Sequence, residues 1–153
     1  MGMNNQPFLD PYLTGRPGEA ARQTAARIIS GPHLSILSTT NPDGSPQASV
    51  IFVRPDGDDL LFSTITGRRK TLNMRRDPRV SLLVHGLPGG EAGTYAAISG
   101  DVTITADPDG AFHQDMYGLY MGGATPPAEP GAERLIVRLR PRHSYAPPLY
   151  VAS

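Results

Sequence analysis

The sequence predicts a mainly β protein, a small barrel of about six antiparallel strands with two or three helices. Short runs of strand-forming residues recur along the chain, and Pro-Asp-Gly turns separate the first of them. The last run, residues 134–140, alternates between apolar and charged side chains. A length of 153 residues with 39% hydrophobic residues suits one core. We therefore expect a single domain over residues 1–153.

The first part of this domain is predicted to be an arm, a helix and a three-stranded meander. Residues 1–15 are polar and contain several prolines, which indicates a surface arm, and Ala and Ile recur at helical spacing within residues 18–30. Three strands follow, separated by NPDGSP and PDGD, in which proline presets φ and glycine accepts a positive φ. These strands are predicted over residues 33–40, 47–53 and 59–64.

Four further elements precede the last strand. Pro78 ends the first of two helices because proline cannot continue the helical hydrogen bonds, and an Asp-Pro pair begins the second. Gly100 interrupts a long strand, as is typical of a bulge or a barrel corner. The barrel then spans residues 33–140, followed by a C-terminal segment over 141–153. The predicted elements are a helix over 68–76, strands over 80–85 and 94–105, a helix over 107–121 and the strand over 134–140.

The second of these helices contains Met116, Tyr117, Tyr120 and Met121, for which two interpretations are open. The side chains would roof a substrate pocket, or they would fill the core, which is the more usual role of such a stripe. On the last strand, Arg138, Arg140 and Arg142 share one face and are expected to face solvent.

The composition excludes several classes of function. Fourteen basic and fourteen acidic groups balance, which argues against a general nucleic-acid or membrane-surface binder. Without cysteine there is no disulfide, thiolate nucleophile or zinc–thiolate site, and four scattered histidines predict no metal site. No apolar run approaches the ~18 residues of a membrane span, and no signal sequence is recognisable. We expect a soluble, cytoplasmic protein.

One segment, residues 63–70, brings hydroxyls, a glycine and three successive cations to the start of a predicted helix. Gly67 would let the backbone approach a ligand, and first-turn N–H groups favour anions. Arg68, Arg69 and Lys70, the only lysine, are unfavourable beside the positive end of the helix dipole unless an anion compensates them. Conventional catalytic signatures such as GxSxG, HExxH and the P-loop are absent. Phosphate binding and a solvated basic helix end are both open interpretations.

The same segment carries a resemblance to a known family. The stretch FSTITGRRKTLNMRRDPRVSLLV, preceded by STTNPDGSPQASVIFV, resembles the FMN-binding split-barrel family of the pyridoxamine 5'-phosphate oxidases. It is especially similar to the short relatives that use coenzyme F-420, an 8-hydroxy-5-deazaflavin. The resemblance covers residues 33–105 in order and spacing. It implies a six-stranded antiparallel split barrel and an obligate homodimer with two cofactor sites at the interface, without nucleic acid or membrane.

The resemblance also implies a role for individual residues. The cofactor ring would lie along residues 50–53, whose backbone would hydrogen-bond its pyrimidine edge, and the helix start would hold the phosphate. Tyr95 falls where flavin-dependent members place a polar residue from the dimer mate. Thr64 and Tyr95 are the candidate proton donors. The implied cofactor-binding residues are Val50, Ile51, Phe52, Val53, Ser63, Thr64, Gly67, Arg68, Arg69, Lys70 and Tyr95.

Departures from the family pattern bear on the choice of cofactor. Ala48 stands where the oxidases carry a phosphate-binding arginine, and the tryptophan and arginine that bind the vitamin substrate have no counterpart. The resemblance therefore implies the deazaflavin, whose acidic tail would extend along Arg75, Arg76 and Arg79, rather than FMN. The implied activity is hydride transfer between reduced coenzyme F-420 and a small electron-poor organic substrate. An FMN-dependent oxidoreductase and a non-catalytic flavin- or deazaflavin-binding protein are the alternatives.

Overall fold

The computed structural model describes residues 34–85 and 95–145, which form one curled antiparallel sheet and two helices. The predicted arm over residues 1–15 and the predicted helix over 18–30 lie outside the described residues. Neither described helix is long and apolar enough to cross a membrane. The strands are β1 (Leu34–Thr40), β2 (Pro46–Phe52), β3 (Arg54–Asp56), β4 (Asp59–Ile65), β5 (Arg79–His85), β6 (Tyr95–Ala106) and β7 (Arg134–Tyr145), and the helices are α1 (Arg69–Arg76) and α2 (Ala111–Tyr120).

The predicted fold class is confirmed. The sheet order is β2-β1-β5-β6-β7-β4-β3, and every neighbouring pair is antiparallel. The sheet curls so that β2, at one edge, approaches β4, near the other. Apart from the second helix and the last strand, the predicted elements within the described ranges begin and end within one residue of the observed ones.

The predicted strand count is wrong by one, because the described residues form seven strands. The additional strand, β3, lies where the sequence predicts only a turn, and Asp56 pairs with Asp59 across Gly57, whose φ is +60°. Arg138 of β7 stabilises this hairpin by donating to Asp56 and Asp59 at 2.6 and 3.1 Å. The side chain of Arg138 remains partly exposed, as expected of a solvent-facing residue, and the two ion pairs are an addition that the sequence did not predict. Its partners are about 80 residues away, beyond the reach of local turn signals.

The inward face of the sheet forms the main core, as the strand alternation predicts. The fully buried side chains come from five strands that are adjacent in the sheet. Met74 of α1 joins them, so α1 packs over one end of the curled sheet. The cluster is centred on Leu37, Phe62, Leu82, Val84, Ile98, Val137 and Leu139.

The second helix, α2, covers the outer face of β4 and β7. Met116 is 2% exposed and packs there, which confirms the core-filling interpretation for this residue, whereas Met121 is exposed. Tyr120 extends farther and stacks on Phe52, with ring centroids 4.3 Å apart. The second cluster consists of Leu61, Phe112 and Met116, with Phe52, Tyr120 and Ile136 packed against it.

The start of α2 differs from the prediction. The helix begins at Ala111 rather than at the Asp-Pro pair, because Gly110 adopts a left-handed φ of +64° just before it. Asp107 instead caps the helix from outside: its buried carboxylate accepts from the backbone N–H groups of Phe112 and His113 at 3.2 and 3.1 Å.

The long strands β6 and β7 bend together at Gly100. The register shifts between Ser99 and Gly100, which confirms the predicted bulge. A Cβ at Gly100 would lie 2.0 Å from the carbonyl oxygen of Arg140, so no side chain fits there. Beyond this bend β7 continues to Tyr145, past the predicted end at Arg140, because β6 is long enough to pair with it.

We expect Gly100→Ala to lower the free energy of unfolding by about 2 kcal/mol or more, since the new methyl group overlaps a backbone carbonyl and the strands must separate. Gly118→Ala is the matched control, because its Cβ would meet atoms only at 3.9 Å or beyond, and alanine favours the helix. Denaturant unfolding of both variants measures the difference. Equal stability of the two would contradict the close approach at Gly100.

Candidate functional site

The candidate site lies where β4 turns into α1. Gly67 makes the turn with a φ of +86°, which strains other residues, and a Cβ there would face open space. Arg68 is extended, and its carbonyl accepts the first helical hydrogen bond, from Leu72. The side chain of Arg68, the N-cap residue of α1, forms no capping hydrogen bond, and the first turn holds no acidic residue. The first N–H groups of the helix are therefore available to an anion.

Three cations surround this helix start. Arg68 and Arg69 are exposed, and Lys70 is partly buried. None of the three forms an ion pair within residues 34–85 and 95–145, although the charge of Arg69 contributes to the lowered pKa of Asp43. Burial lowers the pKa of Lys70, and the charge of Arg68 lowers it further. The arrangement leaves a cluster of positive charge that a bound phosphate would neutralise.

A threonine pair fixes the first turn of α1 to β4. Thr71 is fully buried, and its hydroxyl donates to the carbonyl of Ile65 at 2.8 Å. Thr64 lies 2.8 Å from the same hydroxyl oxygen, and since Thr71 has only one hydroxyl hydrogen, Thr64 is the donor. Thr64 is therefore buried with its hydrogen committed, and the described chain does not place it on an open cleft. Sequence reasoning missed Thr71, which local spacing does not single out.

A second buried network fixes the middle of α1 to β1. Asn73 is 1% exposed, and its amide donates to Thr39 Oγ1 and to Asn41 Oδ1, both at 3.0 Å. Its carbonyl oxygen accepts from Arg76, which also donates to the backbone carbonyl of Thr40. These partners satisfy the buried amide and hold the helix in one orientation.

The arginines that the resemblance assigns to an acidic tail are largely engaged by the protein itself. Arg79 forms a bidentate pair with Asp77, at 2.8 and 2.9 Å, and its hydrogen bonds lower the pKa of Asp77 to about 2. Arg76 is bound to Asn73 and Thr40. Of the three, only Arg75 lacks a partner among the described residues.

Ser63 contributes an unsatisfied polar atom to the same strand. It pairs with Ile136 and faces the side of β4 opposite to Thr64. Its hydroxyl oxygen is buried and has no hydrogen-bond partner among residues 34–85 and 95–145. An unmade hydrogen bond of this kind costs free energy, which a polar group bound next to it would recover. Ser63 therefore lies on the face of β4 away from the Thr64–Thr71 contact with α1, so the fit to an anionic group rests on the cations at the helix start.

The strand predicted to carry the cofactor ring is β2, an edge of the sheet. Val50 is 59% exposed, while Ile51 and Val53 are buried in the core and Phe52 stacks on α2. The hydroxyl of Tyr120 accepts from the N–H of Val53 at 3.2 Å and donates to the carbonyl of the same residue. The backbone of Val53 is thereby engaged, and the edge of β2 that no described strand pairs with lies before it. Tyr120, which is 67 residues away, gave no sequence signal for this contact.

Tyr95 is not part of the same cluster within one chain. It begins β6, where its ring lies 6.2 Å from Tyr145 at the far end of β7. Ile65, beside the candidate site, pairs with Arg134 at the near end of β7. The eleven steps from Arg134 to Tyr145 correspond to roughly 35 Å along the strand. Tyr95 and the helix start are therefore at opposite ends of β7.

A cavity of about 490 Å³ lies apart from the predicted residues, between the start of α2 and the loop that precedes β7. Its walls include His113, whose pKa is lowered by burial and by the charge of Arg134. Arg134 is itself paired with Glu129. In the described ranges no group of three or more His, Cys, Asp or Glu side chains is placed to hold a metal ion.

Comparison with known proteins places this geometry in a family. The chain matches the family model described as pyridoxamine 5'-phosphate oxidase over residues 21–145. It is similar to a solved F-420 reductase, with 31% identity, a TM-score of 0.70 and coverage of 78% of this chain and 94% of that one.

Two more distant structures share the fold. One is a putative pyridoxamine 5'-phosphate oxidase from Listeria innocua, with 17% identity, a TM-score of 0.60 and coverage of 82% and 96% of the two chains. The other is a conserved hypothetical protein from Mycobacterium tuberculosis, with 24% identity, a TM-score of 0.63 and coverage of 89% and 92%. The resemblance stated from the sequence is thus confirmed. The chain belongs to the pyridoxamine 5'-phosphate oxidase family of split-barrel flavin and deazaflavin oxidoreductases.

Proposed function

We propose that this protein binds coenzyme F-420 and transfers hydride between the reduced coenzyme and a small electron-poor organic substrate. The observation that carries the proposal is the start of α1, where three cations that form no ion pair with any described residue surround the first helical N–H groups. The similarity to an F-420 reductase at 31% identity supports the deazaflavin as the cofactor.

The residues at the turn have separate tasks in this proposal. Gly67 lets the backbone come close to the phosphate, and the N–H groups of the first helical turn donate to its oxygens. Arg68, Arg69 and Lys70 add charge-assisted hydrogen bonds, which are stronger than neutral ones. The Thr64–Thr71 pair behind the helix holds these donors in place before the ligand arrives.

The ring of the cofactor would lie along β2, with Ser63 beside it. When bound, the deazaflavin supplies a hydride-donating ring carbon, and the protein's part is to orient and shield it. The free edge of β2 before Val53 offers backbone groups, and the buried hydroxyl of Ser63 offers a further hydrogen bond. Of the two candidate proton donors, Tyr95 is preferred because the hydroxyl hydrogen of Thr64 is already bound to Thr71.

The charge distribution favours the deazaflavin over FMN. Ala48, an exposed residue of β2, cannot provide the second phosphate contact that the oxidases obtain from an arginine at this position. Arg68 instead places the additional charge at the helix start. A ligand with its phosphate beside α1 and further negative charge nearby uses this arrangement better than FMN does.

A homodimer is the second part of the proposal. Leu34, Ile36 and Val50 form an exposed apolar strip on the outer face of β1 and β2, and Ile36 and Val50 are cross-strand partners. Such a strip is typical of a surface that another protein covers. A second copy of the chain is the occupant we infer, because it would also supply Tyr95, which one chain holds far from its own helix start.

We expect Lys70→Ala to raise the dissociation constant of coenzyme F-420 roughly 10-fold or more, because a charge-assisted contact to phosphate contributes about 1.5–3 kcal/mol. Arg140→Ala is the control. Arg140 has no described ion pair and lies six positions along β7 from Arg134, which pairs with the end of β4 beside the candidate site, so its loss should leave the affinity unchanged. Fluorescence titration measures both. Equal affinities of wild type and Lys70→Ala would favour the solvated helix end over phosphate binding.

Coenzyme F-420 should bind more tightly than FMN, and its advantage should shrink as salt rises, because exposed charges are screened beyond a Debye length of ~8 Å at physiological ionic strength. Parallel titrations at low and high salt test this, followed by a screen of enones, quinones and tetrapyrroles as acceptors. Stoichiometric FMN that the deazaflavin cannot displace would contradict the cofactor assignment. Bound cofactor that no acceptor reoxidises would instead favour a non-catalytic binding protein.

Light scattering of the purified protein should give about twice the 16.3 kDa mass of one chain. Val50→Asp should shift the mass to that of a monomer, because it places a charge in the apolar strip. Leu119→Asp, which changes an equally exposed leucine on α2, is the control and should remain dimeric. A monomeric wild-type protein at micromolar concentration would overturn the proposed dimer.

A further inference from the structure

We propose that Tyr120 of α2 is a positioning residue for the cofactor ring. Its hydroxyl holds the backbone at the end of β2, the strand along which the ring would lie, and it thereby fixes the ring relative to the start of α1. The inference rests on the function proposed above and adds to it a residue that acts on the ring through the protein backbone.

Three successive residues, Phe52, Val53 and Arg54, form the seam of the curled sheet. β2 and β3 are the opposite edges of the described sheet, yet β2 ends at Phe52 and β3 begins at Arg54. The chain therefore passes from one edge to the other through a single residue, Val53. Among the described strands, β2 pairs only with β1 and β3 only with β4, so the seam is joined by the chain itself and not by strand pairing.

The backbone of Val53 obtains its hydrogen bonds from a side chain of α2. Val53 belongs to neither strand and is 1% exposed, and a buried backbone group without a partner costs free energy. The hydroxyl of Tyr120 accepts from the N–H of Val53 at 3.2 Å and donates to the carbonyl of the same residue. We call these two hydrogen bonds the Tyr120 clamp. They replace the neighbouring strand that the seam lacks.

The same helix contacts the residues on both sides of Val53. The ring of Tyr120 stacks on Phe52, with ring centroids 4.3 Å apart. The guanidinium carbon of Arg54 lies 4.8 Å from the ring centroid of Phe112, which is within the range of a cation–π interaction. All three seam residues are therefore held by α2, which is itself fixed on β4 by a buried apolar cluster.

The Tyr120 clamp determines which part of β2 the ring can use. Both backbone groups of Val53 are occupied, so the pyrimidine edge of the ring has to pair with backbone groups that precede Val53. The rate of the proposed reaction depends on how accurately the ring is placed, since a displacement of about 1 Å can cost on the order of 100-fold. The proposed phosphate contacts belong to α1 and do not involve β2. Loss of the Tyr120 hydroxyl should therefore change the rate far more than the affinity.

The first test removes the hydroxyl and keeps the ring. Tyr120→Phe retains the stack on Phe52 but takes a hydrogen-bond partner from both backbone groups of Val53. Amide hydrogen exchange of the cofactor-free protein, followed by NMR, should become roughly 5-fold or more faster at Val53. The amide of Val137, in the fully buried centre of β7, is the internal reference for global opening. Tyr117→Phe is the matched control, because residues 34–85 and 95–145 offer that hydroxyl no hydrogen bond.

Three measurements with coenzyme F-420 then test the positioning role of Tyr120. The dissociation constant, from fluorescence titration, should change by less than about 3-fold, because the phosphate contacts remain. Acrylamide, a neutral quencher, should quench the bound coenzyme roughly 2-fold more efficiently in Tyr120→Phe, because the ring is held less closely against β2. With the acceptor identified in the screen, kcat should fall roughly 10-fold or more while KM for the reduced coenzyme stays within about 2-fold.

The outcomes separate this inference from the proposed function. Unchanged exchange at Val53 in Tyr120→Phe, or a rise that Val137 shares, would overturn the Tyr120 clamp. Faster exchange at Val53 alone, with unchanged quenching and kcat, would make Tyr120 a purely structural residue and overturn its positioning role. Faster exchange at Val53 in a protein that does not bind coenzyme F-420 would support the Tyr120 clamp and overturn the proposed cofactor.

Discussion

The position of α1 depends on a small set of buried hydrogen bonds. Thr71 and Asn73 are almost fully buried, and they tie the helix to β4 and β1 through Thr64 and Thr39. Cations at the start of a helix oppose the helix dipole, so the charges of Arg68, Arg69 and Lys70 do not stabilise α1. The buried hydrogen bonds of Thr71 and Asn73 therefore offset the unfavourable interaction between the cations and the helix dipole. They also hold the N–H donors of the first helical turn in a fixed orientation.

The two halves of the candidate site come from strands that are far apart in the sheet order. The cations follow β4, while the proposed ring-binding strand β2 is the opposite edge, so the curl of the sheet has to bring them together. Gly100 permits this bend where β6 passes close to the backbone of Arg140. Tyr120 then connects the two halves. Its helix, α2, packs on β4, and its hydroxyl accepts from the N–H of Val53 and donates to the carbonyl of the same residue.

The sequence predicted those features whose determinants are local. Strand alternation, the glycine at position 100 and the contiguous segment 67–70 each carry their signal within a few residues, and all of them lie where expected. It did not predict β3, which Arg138 stabilises from about 80 residues away. Asn73 and Tyr120 were missed for the same physical reason, since their partners are distant along the chain. Thr71 was missed although its partners, Thr64 and Ile65, are close in sequence, because no periodic pattern predicts a hydroxyl contact across the turn from a strand to a helix.

The distribution of charge also bears on which part of the proposed anionic cofactor this site would discriminate. The chain has a formal net charge of zero, so attraction cannot come from its overall field. Arg76 and Arg79 are engaged by Thr40 and Asp77, which leaves Arg75 as the single partnerless cation of the three assigned to an acidic tail. The three cations at the helix start, by contrast, form no ion pair with any described residue. Recognition should therefore reside mainly in the phosphate, with the tail adding a weaker and more strongly screened contribution.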